Sequence, residues 1–301
     1  RPNELYLLGW MFDHGIGFPK DNLAAAEWYN LAAKMDHPEG VYRLADKYEA
    51  GCGGLIPRNV RHAFELYKKA AAMGSADALF ELAVCYYEGE IVEEDVTEAL
   101  RCLVAAAIQG HPASNNWLGW NYEKGWMRCV QDPKMAFAFY TTAVAGGDPT
   151  AHHNLARFLD DGIAGERDTE RAVALYLQAA EMEVPGAQCA MGTLYAGGLL
   201  GVPKDLKKAV TLYEAAAKNG DALAKGQLGT IYVNGIPGVE KNEKKGYSFY
   251  WLAVEEGEVG GNAKSLAKAY LHGGVLPADL AKSAQFLSME REEEQVINAI
   301  G

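Results

Sequence analysis

Leu118-Gly119-Trp120-Asn121-Tyr122-Glu123-Lys124-Gly125 decides the fold, because the frame it carries returns seven more times. The sister stretches read LGWMFDHG from Leu8, LADKYEAG from Leu44, LAVCYYEG from Leu82, LARFLDDG from Leu155, MGTLYAGG from Met191, LGTIYVNG from Leu228 and LAKAYLHG from Leu266. Successive copies are offset by 36, 38, 36, 37, 36, 37 and 38 residues. A period of that size means a tandem array, since one such unit cannot bury its apolar face alone and stacks on its neighbours instead.

Each copy carries a second frame, an Asp or Asn with a small residue four positions on. The pairs are Asp21 and Ala25, Asn59 and Ala63, Asp95 and Ala99, Asp132 and Ala136, Asp168 and Ala172, Asp205 and Ala209, Asn242 and Gly246, Asp279 and Ser283. Asx side chains accept from the unpaired N–H groups of a first helical turn, so these positions predict the N-caps of a second helix. Pro2, Pro38, Pro112, Pro149 and Pro185 each stand six residues before the frame Leu or Met and predict first-helix starts, where a missing N–H costs least. The closing glycines of the frame, such as Gly15, Gly51 and Gly125, supply the left-handed backbone of a C-cap. Length variation is expected in the connector: Gly15 to Asp21 is six residues, Gly125 to Asp132 seven and Gly51 to Asn59 eight.

Net charge is −12 from 28 basic and 40 acidic residues, so no general field draws in phosphate backbones or anionic lipid. No nucleic-acid partner and no direct membrane insertion are expected, the latter because no apolar run approaches the roughly 20 residues that span a bilayer. Five cysteines recur at no fixed repeat position, which argues against a disulfide framework and leans towards a cytoplasmic, reducing compartment. A signal sequence removed ahead of Arg1 would reverse that lean, to a periplasmic or secreted setting.

The LGxxYxxG frame followed by a Gly-rich connector, as in Gly198 to Gly220, resembles the Sel-1-like repeat family, the slightly longer relative of the tetratricopeptide repeat. The resemblance spans essentially the whole chain. It implies an all-α fold, a right-handed α-solenoid superhelix of about eight helix-turn-helix repeats of 36–38 residues, forming a single domain over residues 1–301. The repeats are placed at 2–36, 37–74, 75–110, 111–147, 148–183, 184–220, 221–257 and 258–301, the last with an acidic terminal cap. Leu159 and Leu103 depart from the pattern's tyrosines, and Glu290-Arg291 from its last small pair. The resemblance also implies a non-catalytic scaffold or adaptor for protein partners. The alternative within the same fold is a secreted or periplasmic binding factor, a toxin-immunity or host-contact protein.

In tetratricopeptide-like arrays the inner surface is lined by first-helix positions, here two before, two after and five after the frame Leu. Those positions nominate Tyr6, Trp10, Asp13, Tyr42, Asp46, Glu49, Phe80, Tyr87, Asn116, Trp120, Glu123, His153 and Arg157 as a partner-binding groove. Aromatic area flanked by carboxylates suits a protein or peptide segment offering apolar anchors beside Lys or Arg. The competing reading is that these aromatics cover one another. Trp120 and Glu123 stand out as residues the repeat leaves free, together with Asn121 and Lys124.

Enzyme chemistry finds little support, and neither a cofactor nor a metal is expected. Ser265 and Lys268 match an SxxK spacing without its companion elements. His152 and His153 are adjacent rather than one helical turn apart, so the rings diverge. Cys189, placed on the groove, is the one cysteine with expected reactivity, while Cys85 and Cys102 read as core.

Overall fold

The computed structural model describes the backbone of residues 1–52, 56–165 and 167–300, and the side chains of all of these but 294 and 296–300. Residues 53–55, part of the Gly51 to Asn59 connector, lie outside the described residues. The described residues form sixteen α-helices, two per repeat. The first helices are α1 (Pro2–His14), α3 (Pro38–Ala50), α5 (Ala76–Glu88), α7 (Pro112–Lys124), α9 (Pro149–Asp161), α11 (Pro185–Gly197), α13 (Ala222–Asn234) and α15 (Gly260–His272). The second helices are α2 (Asn22–Ala33), α4 (Val60–Ala72), α6 (Val96–Ile108), α8 (Pro133–Ala145), α10 (Thr169–Glu181), α12 (Leu206–Lys218), α14 (Glu243–Glu255) and α16 (Leu280–Ile300). The chain groups into two compact units, Arg1–Ala151 and His152–Gly301.

Local chemistry sets each boundary. All five repeat prolines are the first residues of their helices. All eight Asx residues cap as the sequence predicts: Asp21 Oδ1 accepts from the N–H groups of Leu23 and Ala24 at 2.9 and 3.0 Å, and Asp279 Oδ1 from that of Lys282 at 3.0 Å. Each cap stabilises its helix by about 1 kcal/mol. Gly125 closes α7 with φ 70°, a left-handed conformation in which an L side chain is disfavoured.

A further contact recurs in every repeat. The backbone N–H of the capping Asx donates to the carbonyl four residues after the frame Leu or Met, from Asp21 to Phe12, Asn59 to Tyr48 and Asp132 to Tyr122 through to Asp279 to Tyr270, at 2.7–3.0 Å. The connector is therefore closed at its base by a fixed hydrogen bond. Its loop varies in length without moving the two helices it joins.

The core of the first unit gathers the frame residues Leu44, Leu82 and Leu118 with Tyr29 and Tyr67, all buried. In the second unit, Met191, Leu228 and Leu266 are buried in the same register, as are Tyr213 and Tyr250. The small residue after each frame Leu makes room for a second-helix ring. A Cβ on Gly119 would sit 2.7 Å from the ring of Tyr140, closer than such contacts allow. At the carboxyl end, Glu290 pairs with Lys264 at 2.9 Å and Glu293 accepts from the Gly260 N–H at 2.5 Å, so the acidic stretch of α16 folds charge back onto α15.

Candidate partner-binding site

The nominated residues of the first unit lie on α1, α3, α5 and α7, and several of their side chains bridge neighbouring first helices. Tyr6 on α1 stacks on His37, which precedes α3, at 4.9 Å and 19°. Asp13 pairs with Lys47 of α3. Phe80 on α5 meets Trp117 of α7 edge-on at 5.9 Å, and Tyr87 meets the same indole at 5.4 Å and 90°. Trp10 stacks on His14 at 4.5 Å, and Trp120 packs at 4.5 Å and 76° against Trp126 in the following loop. These rings cover one another in part only. Trp10, Phe80, Tyr87, Asn116, Trp117 and Trp120 are half-buried, and Trp126 is 49% exposed.

Most of the nominated carboxylates are engaged inside their own repeats. Tyr29 donates to Asp13 Oδ2 at 3.3 Å, and Tyr140 donates to Glu123 Oε2 at 2.8 Å. Tyr67 lies 2.6 Å from Glu49 Oε2 and 3.0 Å from Asp46 Oδ1. Glu123 is buried and also pairs with Lys124 at 2.8 Å, while Asn121 is fully buried with its amide nitrogen on Met127 Sδ at 3.1 Å. The expectation that the repeat leaves Asn121 and Glu123 free is therefore corrected: Glu123 is the acceptor that the buried Tyr140 hydroxyl needs, and Asn121 is buried with its amide against Met127. Tyr42 is likewise core, 8% exposed, its ring 5.9 Å from that of Tyr67. The second unit meets the same need with hydroxyls, Tyr213 with Thr193 and Tyr250 with Thr230, each at 3.1 Å.

A group that the register count missed sits one residue before the frame Leu. Arg43, Glu81 and Trp117 occupy that position, one helical turn ahead of Asp46, Val84 and Trp120, and so share the face. Arg43 bonds Asp46 Oδ2 at 3.3 Å and lies 5.0 Å from the Tyr42 ring centroid. Burial pushes the Asp46 carboxyl up to about 6, a rise that Arg43 moderates. Burial, with repulsion from Asp46 and Glu49, pushes Glu81 up to about 7. One phenol carries one proton, which Tyr67 shares between Glu49 Oε2 and Asp46 Oδ1. His111 caps α7 through Ser114 N–H and places Nε2 3.4 Å from Asp77, whose carboxyl this contact holds below the usual range.

His153 and Arg157 belong to the second unit. The His153 ring lies 5.7 Å from Tyr176 and is half-buried; burial, then Arg157, lowers its pKa. The Arg157 guanidinium lies 5.2 Å from the Phe158 ring centroid. Cys189 is 2% exposed and burial pushes its thiol up, which removes the reactivity expected of it. Cys85 and Cys102 are both free thiols in the core. Ser265 donates to the Gly261 carbonyl at 2.8 Å while Lys268 is exposed, a surface helix contact rather than a nucleophile and its base. Among the described residues no cluster of His, Cys, Asp and Glu has the geometry to hold a metal, and no helix is long and apolar enough to cross a membrane.

Known proteins share this architecture. The chain is 30% identical over 203 residues to the chitin synthase regulator SKT5 of Saccharomyces cerevisiae, an alignment that covers 64% of this chain and 29% of the yeast protein. The chain thus spans less than a third of that relative's length. A protective antigen of uropathogenic Escherichia coli that displays an SLR fold superposes with TM-score 0.70 and 27% identity, covering 96% of this chain and 61% of the antigen. A Sel1 repeat protein from Oxalobacter formigenes superposes with TM-score 0.65 and 29% identity, over 77% of this chain and 93% of its own. The Sel1 repeat profile matches residues 5–37, 38–75, 76–111, 112–148, 149–184, 185–221, 222–258 and 265–289, and with caps, connectors and helix pairs all following that pattern, the chain belongs to the Sel1 repeat family.

Proposed function

We propose that the protein is a non-catalytic scaffold that binds a segment of a partner protein on the first-helix face of its first unit. The observation that carries this reading is the run of half-buried aromatics, Trp10, Phe80, Tyr87, Trp117 and Trp120, which leaves ring area open to a partner beside the exposed Trp126. Rigid aromatics of this kind supply large contact area at low entropic cost and dominate interface energetics.

Selection for a basic partner rests on Glu81 and Asp77, with Asp46 behind them. Asp13, Glu49 and Glu123 already accept from tyrosines and serve chiefly to hold the helices in register. The regulator name of the yeast relative supports an adaptor role, in which the protein acts by holding another protein.

Capture from the source extract with wild type and with a Trp10→Ala, Trp120→Ala double variant tests the reading. Loss of the wild-type partner by a variant of unchanged helical content is the expected result. Equal capture by the folded variant would sink it.

A further inference from the structure

The outer surface of the second unit carries a feature that the first-helix face does not explain. Between the parallel second helices α10 and α12, above α11, lies a groove of about 400 Å³ whose floor and walls include Leu177, Met191, Tyr195 and Leu212, with Lys207 and Lys208 at its edge. Repeats four and seven narrow the corresponding groove with a ring. Phe139 stacks on Tyr122 at 5.5 Å and 15°, and Phe249 stacks on Tyr232 at 5.9 Å and 10°, leaving about 280 and 270 Å³. Leu212 stands in that position here, so the Tyr195 ring has no aromatic neighbour among the described residues.

Charge distinguishes the same place. The chain is strongly acidic, yet Lys207 and Lys208 form no ion pair among the described residues, and the Lys208 ammonium lies 5.2 Å from the Tyr195 ring centroid. In the neighbouring groove Lys225 pairs with Glu256, and Lys245 beside it lies 3.7 Å from Glu214 and 3.8 Å from the Tyr232 centroid. Leu177 is 44% exposed at the groove's lip.

We propose that this groove is a second docking site, which takes an acidic amphipathic helix of a partner protein. An apolar trough between two helices, floored by a third, receives the anchors of such a helix one turn apart. The two uncompensated ammonium groups select carboxylates beside those anchors.

The test is fluorescence anisotropy with a fluorescein-labelled, helix-stabilised peptide that presents Leu and Phe one turn apart, flanked by Glu. Its counterparts carry Lys in place of Glu, or Ala in place of the anchors, and laurate serves as competitor. The Glu peptide is expected to bind at least about tenfold tighter than either counterpart, a difference of about 1.4 kcal/mol. Leu212→Phe, which installs the ring native to the equivalent positions 139 and 249, should weaken it about tenfold. Lys207→Glu with Lys208→Glu should invert the preference between the Glu and Lys peptides; this surface pair also carries the test if Leu212→Phe disturbs folding. Equal binding of the Glu and Lys peptides, no binding at all, or indifference to both variants overturns the proposal. Displacement by laurate at concentrations matching the peptide's own Kd overturns it in favour of an anionic lipid.

Discussion

Tyr140 on α8 donates its hydroxyl proton to Glu123 of α7 at 2.8 Å, tying the two helices of the fourth repeat together through a buried polar contact. The same bond, from second-helix tyrosine to first-helix acceptor, recurs at Tyr29, Tyr67, Tyr213 and Tyr250. Tyr140→Phe keeps the ring and removes one donor from a buried carboxylate. The expected cost is about 1–3 kcal/mol of stability, measured as a lower denaturation midpoint with an unchanged slope.

Gly119 faces the Tyr140 ring so closely that an added methyl meets it at 2.7 Å. Gly119→Ala should destabilise by about 1–3 kcal/mol through overpacking, despite Ala's higher helix propensity. A Gly119→Ala, Tyr140→Leu double variant should cost less than the sum of its two single variants, because repeat three already pairs Ala83 with Leu103, both fully buried. Thermal unfolding of the three variants reads this directly.

The acid pair of the first unit gives a pH dependence of definite sign. Asp46 and Glu81 are raised to about 6 and about 7 in the folded protein, so the folded state binds protons that the unfolded chain releases. Their contribution is fully present below the ordinary carboxylate range and lost as pH rises through those values. Lowering the pH from about 8 to about 5.5 should raise the unfolding free energy by about 1–2 kcal/mol, allowing for partial solvent screening. Glu81→Gln should flatten that rise, as followed by thermal melts across the pH range.

Most of the fold was legible because its punctuation is local. Pro185, Asp205 and Gly198 each act through backbone geometry within a turn of their own position, so their roles follow from residue type and spacing alone. The candidate site was less legible, because its acceptors are paired at a distance. Glu123 bonds a tyrosine 17 residues away, and Glu49 one 18 away. A signal for this does exist in the sequence: repeats three and eight carry Leu103 and Leu287 in place of that tyrosine, and Tyr87 and Leu271 five residues after the frame Leu, where repeats one, two and four carry the accepting acid. The residue before the frame Leu, as in Arg43 and Glu81, escaped a register count that began from the core stripe rather than from the face opposite it, whereas Trp117 is marked out only by its neighbours Trp120 and Trp126.

The affinity of the captured partner for matched surface variants bears most directly on the role of the first-helix face. One variant carries Trp10→Ala and Trp120→Ala; its control carries Leu31→Ala and Val104→Ala, two exposed side chains on second helices of the same unit. With all proteins equally helical, the tryptophan variant should bind at least about 30-fold more weakly than wild type, since two aromatic anchors of about 1–2 kcal/mol or more each are removed, and the control should bind as wild type does. Wild-type affinity in the tryptophan variant, or an equal loss in the control, would contradict binding through the first-helix face.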